Sequence, residues 1–258
     1  MEVKVNTLEE RPIIEEPQPW DEMQSSEDAV NLNVGQKLIG VIVSPIETFK
    51  SIAKSPDIVY PMLIIIGISL ISILIIWPEL QQGVREQILK SGQSIPPEQM
   101  KFAMTMAGVG ALVSVFILTP IIWLIQAVVL LIYDQITIAK ASFKQLFSVA
   151  VYSSVPSMFS SIVKTGAMKS MGLMGATKVQ TSFALFLPPD IKSGFLFFFL
   201  SQLDFFIMWA IVLLALGGGV VMQTDAKKIG IYVFILWLLF AAGAAGLGML
   251  GAAMQPSA

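Results

Sequence analysis

Five long apolar runs organise this chain. No Asp, Glu, Lys or Arg occurs between Asp57 and Glu79, between Lys101 and Asp134, between Lys144 and Lys164, between Asp204 and Asp225, or after Lys228. A bilayer's hydrocarbon core is about 30 Å thick, and a helix needs roughly 20 apolar residues to cross it. Each run reaches or nearly reaches that length. A helix on the surface of a soluble protein keeps a polar stripe along its length, and these runs have none. The pattern predicts an all-α polytopic integral membrane protein with five transmembrane helices, at about 59–78, 105–133, 145–164, 197–222 and 229–250.

The flanks refine that picture. Trp77 closes the first run where an interfacial aromatic residue would sit. The second run, Phe102 to Tyr133, is 32 residues long. As a helix it would measure about 48 Å, so it must tilt or project from the membrane. Pro120 and Pro156 lie inside the second and third spans. Residues 164–194 read as a longer loop rich in Gly and Met, and its charge-free stretch from Val179 to Pro189 is too short to cross.

Ahead of the first span, residues 44–54 predict a short amphipathic helix. Ser44 is placed to cap, Pro45 suits the first helical position, and Glu47 completes a capping box. Ile46, Phe49, Ile52 and Ala53 share one face; Glu47, Lys50, Ser51 and Lys54 share the other. Such a helix either lies in the headgroup plane or packs on the protein's own cytoplasmic side. Residues 1–34 carry Glu9, Glu10, Glu15, Glu16, Asp21, Glu22, Glu27 and Asp28 between prolines, with little apolar surface to offset the cost of ordering. They are expected to be a disordered acidic cytoplasmic tail, leaving 35–258 as the five-helix membrane domain.

Composition then limits the chemistry. Hydrophobic residues make up 55% of the 258 and charged residues only 13%, about half the usual share for a soluble domain. Histidine and cysteine are both absent. Thiol chemistry, zinc or haem sites on their usual ligands, and the commonest general base therefore drop out. No cofactor, metal or catalytic pair is expected, and the chain is not expected to be an enzyme. With a net charge of −2 and no dense basic patch, nucleic acid is not an expected partner either.

Orientation follows from the basic residues. With the N-terminus inside, Lys4, Arg11, Lys37, Lys50, Lys54, Lys140, Lys144, Lys227 and Lys228 face the cytoplasm, nine against seven on the other side. The cytoplasmic lysines crowd the short 134–144 and 223–228 loops, and positive charge near span ends marks the inner side. A cytoplasmic N-terminus is the expectation.

Three stretches carry a family resemblance: SPIETFKSIAKSP leading into YPMLIIIGISL, then ASFKQLFSVAVYSSVPSMFSSIV, then LDFFIMWAIVLLALGGG. They include Phe143, Lys144, Tyr152, Ser153, Pro156, Asp204, Trp209 and Gly217 to Gly219. With their order and the five spans, the chain resembles the bacterial branch of the Yip domain family, named for Ypt/Rab-interacting proteins. An Asp-Leu-Tyr-Gly-Pro-like stretch, associated with eukaryotic members, does not precede the first span. Rab binding and Golgi trafficking are therefore not carried over. The resemblance implies a multi-pass protein of a bacterial plasma membrane that assists another integral membrane complex as an adaptor or assembly factor. An ABC-type exporter is the first candidate partner. A small transporter or channel is the alternative.

Within the spans, a few polar residues are candidates for contacts between helices. Asp204 stands out, because an acid at the centre of a span costs about 2.5–3.5 kcal/mol on insertion scales and seeks a partner or water. Either it lies in the core, facing Ser160, Ser161 or Lys164 at matching depth, or the fourth span begins just after it. Gln126 and Tyr152 share a depth and are expected to hydrogen-bond. Small residues at four-residue spacing, Ala103, Ala107 and Ala111 and again Ala244, Gly248 and Ala252, permit close helix approach. They serve either internal packing or a homo-oligomer.

Overall fold

The computed structural model describes residues 32–90, 92, 95–176, 181–188, 191 and 194–253. The expected acidic tail lies outside these except at its last residues. Among these residues ten α-helices follow in order: α1 Val34–Val43, α2 Pro45–Lys54, α3 Val59–Ile75, α4 Trp77–Lys90, α5 Pro97–Thr137, α6 Phe143–Ser153, α7 Val155–Ala176, α8 Phe195–Gln202, α9 Phe205–Met222 and α10 Ala226–Ala253. A short 3-10 turn, Phe183–Phe186, precedes α8. Among the described residues there is no strand, only an isolated antiparallel bridge between Ser182 and Asp204.

Among the described residues four helical segments are long and apolar enough to cross a membrane: α5, α6 with α7, α9 and α10. The bent pair α3–α4 makes a fifth. The fold is thus an all-α polytopic membrane bundle of four to five spans. Large side chains such as Ile121, Ile125, Val128 and Ile132 on α5, and Ile231, Ile235 and Leu239 on α10, face outward. On a span, that is the face lipid covers.

Three spans depart from the expected uninterrupted helices. The first bends by 57° after Ile75 instead of continuing to Pro78. Pro78 supplies the cause, since its ring clashes with the carbonyl four residues back, that of Leu74. The third breaks at Ser154, two residues before Pro156, for the same reason. The expected fourth span, 197–222, splits at Asp204 into α8 and α9, and only Phe205–Met222 is long enough to cross.

The amphipathic helix forms where expected, but not with the expected cap. Ser44 makes no side-chain cap bond; its N–H is donated to the Gly40 carbonyl, ending α1, and its carbonyl accepts from the Thr48 hydroxyl at 2.9 Å. It serves two helices at once. Of its two expected places, the apolar face of α2 takes the one against the protein itself. Phe49 and Ile52 are fully buried against α9 and α6, Ile46 is half-buried, and Lys50 pairs with Glu47 at 3.1 Å. Lys54, at the last turn, is exposed.

One apolar cluster gathers Val41 of α1, Phe49 and Ile52 of α2, Ile65 and Ile66 of α3, Trp123 and Leu130 of α5, Leu146 and Val149 to Tyr152 of α6, Leu213 and Leu214 of α9, and Ile229 of α10. It lies at the end of the bundle where α1, α2, the α5–α6 turn and the α9–α10 turn meet, here called the near end. Its centre is the run Gly217–Gly219. A Cβ at Gly217 would stand 2.7 Å from both the Phe49 ring and Val149, and one at Gly219 would stand 2.9 Å from Ala226 Cβ. At the far end of α10, Gly248 admits the Phe198 ring of α8, so at that point the small-residue stripe serves packing inside the chain. Gly108, one residue past Ala107, receives the indole of Trp77.

Candidate functional site

The near end holds a buried polar clamp around the joint between α2 and α3. α1 begins with a capping box, in which the Asn33 side chain accepts from Gln36 N–H and the Gln36 side chain accepts from Asn33 N–H. That start fixes the register of α1 and turns Lys37, its one charged residue, inward. Lys37 is 2% exposed. Its ammonium donates to the Ser55 carbonyl at 2.8 Å and pairs with Asp57 Oδ1 at 3.1 Å.

α6 supplies the other jaw. A second capping box, Ser142 with Gln145, starts this helix. From it Gln145 donates to the Ala53 carbonyl at 2.8 Å, Ser148 donates to the Asp57 carbonyl at 2.5 Å, and the Tyr152 hydroxyl lies 3.0 Å from both Asp57 carboxylate oxygens. The spacing 145, 148, 152 is one helical face. Every donor here ends on a main-chain carbonyl or on the Asp57 carboxylate. The cluster therefore fixes the entry angle of the first span.

Charge-assisted bonds are roughly twice as strong as neutral ones, which explains the fate of the expected Gln126–Tyr152 pair. It does not form. Tyr152 takes the Asp57 carboxylate, and Gln126 Oε1 is buried without a partner among the described residues. The bond that does tie α5 to this region runs from the Trp123 indole to Ser154 Oγ at 3.0 Å, at the break between α6 and α7.

A second polar knot sits at the far end. Asp204 precedes α9 and is 6% exposed, so it is both a helix start and a buried acid. Its carboxylate accepts from Phe206 N–H at 2.8 Å, accepts from the Thr181 hydroxyl, and stands 3.6 Å from the Lys164 ammonium. Phe183 N–H and Phe205 N–H complete a short ladder to the Leu203 and Thr181 carbonyls, both at 3.0 Å. Of the other two expected neighbours, Ser160 is buried but its described contacts do not include Asp204, and the Ser161 hydroxyl turns back to its own helix, at the Ser157 carbonyl. A third tie, Lys169 to Glu79 at 2.8 Å, braces α4 beyond the bend.

Lys37, Asp57, Ser148 and Glu79 were not singled out from sequence as site residues; Lys37 entered only as a flanking charge, and Asp57 and Glu79 only as bounds of an apolar run. A lone lysine inside the otherwise apolar stretch VGQKLIGVIV, and an acid after Pro56 at the mouth of a span, are the signals available for the first two.

For Asp204, Asp204→Asn is expected to be tolerated, since it keeps the shape and most hydrogen bonds. Asp204→Leu strands the Phe206 N–H, Thr181 and Lys164 and should cost about 1–3 kcal/mol. Thermal unfolding in detergent, followed by size-exclusion chromatography, separates the two. Equal melting of the Asp204→Leu and Asp204→Asn variants would show that the knot carries no stability.

Buried polar ties between apolar helices, with outward faces of Ile, Leu, Val and Phe, define a polytopic α-helical membrane protein. Residues 39–247 match the family model of the Yip1 domain, and the chain belongs to that family. Asp57, Gln145, Ser148, Tyr152 and Asp204 all lie within the matched stretch, and Lys37 lies two residues before it. Neither the curated proteins nor the solved structures contain a match to the chain.

Proposed function

We propose that this protein is a non-enzymatic membrane adaptor or assembly factor for another integral membrane complex. The observation that carries the reading is how the polar groups that tie the helices together are used. Asp57, Lys37, Tyr152, Asp204 and Lys164 are engaged with one another and with main-chain groups. A rigid scaffold with an apolar exterior suits binding a membrane partner more than chemistry on a substrate. Membership of the Yip1 domain family agrees with a membrane role. An ABC-type exporter is our first candidate partner, and a bacterial plasma membrane with the near end cytoplasmic our proposed setting.

A small transporter or channel is the second reading. It is favoured by the interruptions at Ser154 and Asp204, because transporters build their midplane sites from broken helices.

Affinity purification of the full chain from native membranes in mild detergent, with mass spectrometry, tests the first reading. The expected result is reproducible recovery of one integral membrane complex in near-stoichiometric amount. Saturable movement of an ion or solute by the purified protein alone in liposomes would put the transporter reading in its place.

A further inference from the structure

The turn between α5 and α6 carries unusual backbone strain. α5 ends at Ile138, which adopts φ 56 and ψ 30, the left-handed conformation. Helices often end this way, but on glycine, because a β-branched side chain is strained there. The turn is nonetheless firmly built. Ala139 N–H is donated to the Asp134 carbonyl at 3.0 Å, and Ala141 N–H to the carboxylate of Asp134, itself 1% exposed, at 3.1 Å. The side chain so held touches little of the protein: Ile138 is 83% exposed and Ile136 is 70% exposed. An apolar residue at a position where glycine would be strain-free, buried nowhere in its own chain, needs a partner outside it.

Two features say which partner. The exposed ridge of α5, Ile121, Ile125, Val128, Ile132 and Ile136, runs without a break into the turn, so Ile138 continues a surface that lipid already covers. Around it stand exposed lysines. Lys140 and Lys144 flank the turn in sequence. The rings of Tyr133 and Tyr232 meet at 5.1 Å, and Tyr232 OH donates to the Val129 carbonyl. That contact brings Lys228, one turn before Tyr232 on the antiparallel α10, level with the end of α5. Lys140, Lys144, Lys227 and Lys228 make no ion pair among the described residues. The acids nearby are engaged: Glu47 holds Lys50, and Asp225 accepts the Lys227 main-chain N–H.

We propose that this turn, with the start of α10, is a binding surface for anionic phospholipid. Ile136 and Ile138 sit at the boundary of the acyl chains, and the lysines meet the headgroup phosphates. Apolar insertion and basic attraction are the two contributions that hold interfacial segments on anionic membranes.

The test uses the full chain, which has no cysteine of its own. An environment-sensitive fluorophore is placed at Ile138→Cys or, for comparison, at Gln223→Cys, a second non-glycine helix end in the left-handed conformation. Each protein is reconstituted in phosphatidylcholine vesicles with and without phosphatidylglycerol. The probe at 138 should be quenched by a nitroxide carried on the lipid, and shielded from aqueous iodide several-fold better than the probe at 223. Phosphatidylglycerol should increase that shielding, and Lys140→Gln with Lys144→Gln should abolish the increase. Iodide access at 138 equal to that at 223, or lipid quenching indifferent to phosphatidylglycerol, overturns the proposal. Shielding of 138 from both quenchers also overturns it, in favour of a protein partner or a second copy of the chain.

Discussion

Replacing Asp57 with Ala is expected to be among the most damaging single changes outside the spans, at about 3–5 kcal/mol, the cost of leaving one partner of a buried ion pair alone. Lys37 is 2% exposed, and without the carboxylate its charge keeps only the Ser55 carbonyl. Tyr152 loses its acceptor as well. The lower part of the range is the better guide, because the Asp57 side chain is 24% exposed and water reaches part of it. Lys37→Met with Asp57→Ala removes both charges and should recover most of the loss, since an apolar replacement of a whole pair is often neutral. Thermal unfolding of the detergent-purified variants measures this. A loss below about 1 kcal/mol for Asp57→Ala would place the pair with exposed salt bridges.

The second large effect is expected at Gly217. A Cβ there would come within 2.7 Å of the Phe49 ring and of Val149, closer than packed atoms allow. Overfilling of a packed core costs about 1–3 kcal/mol, while replacing glycine inside a helix returns about 1 kcal/mol. Gly217→Ala should therefore destabilise modestly, and Gly217→Leu should expel Phe49 and lift α2 off the bundle. Limited trypsin digestion reads this out, through faster cleavage at Lys50 and Lys54 in the Gly217→Leu variant. Phe49→Ala combined with Gly217→Leu should lose less than the single losses added together, because the two side chains compete for one space. Strict additivity would mean that Phe49 does not occupy the Gly217 groove.

How far each feature was legible in sequence depends on the range of the physics behind it. The spans were legible because desolvation of charge acts residue by residue, and charge-free runs record it directly. The apolar face of α2 was legible from the spacing of Ile46, Phe49 and Ile52, but its partner was not, since lipid and a bundle accept the same face. The deciding residue, Gly217, lies far along the chain. Lys37 and Asp57 pair across 20 positions through a turn that no local pattern specifies. For Asp204 the sequence left two readings, a buried acid or a helix start, and the structure unites them: helix α9 begins at an acid that Thr181 and Lys164 cover. Lys164 does stand 3.6 Å from Asp204, whereas Tyr152 goes to Asp57 and not to Gln126, because the carboxylate outside the spans is the stronger acceptor.

We propose five crossings, with the near end that carries α1, α2 and both lysine-bearing turns in the cytoplasm. Single cysteines at Ser94, Thr224 and Ser257 in the cysteine-free chain test it most directly, with a membrane-impermeant maleimide applied to intact cells. Labelling is expected at 94 and 257 from outside, and at 224 only after permeabilisation. Labelling of 224 in intact cells with 94 protected would reverse the orientation. Finding 94 and 224 on the same side, or 257 on the side of 224, would contradict the five crossings themselves.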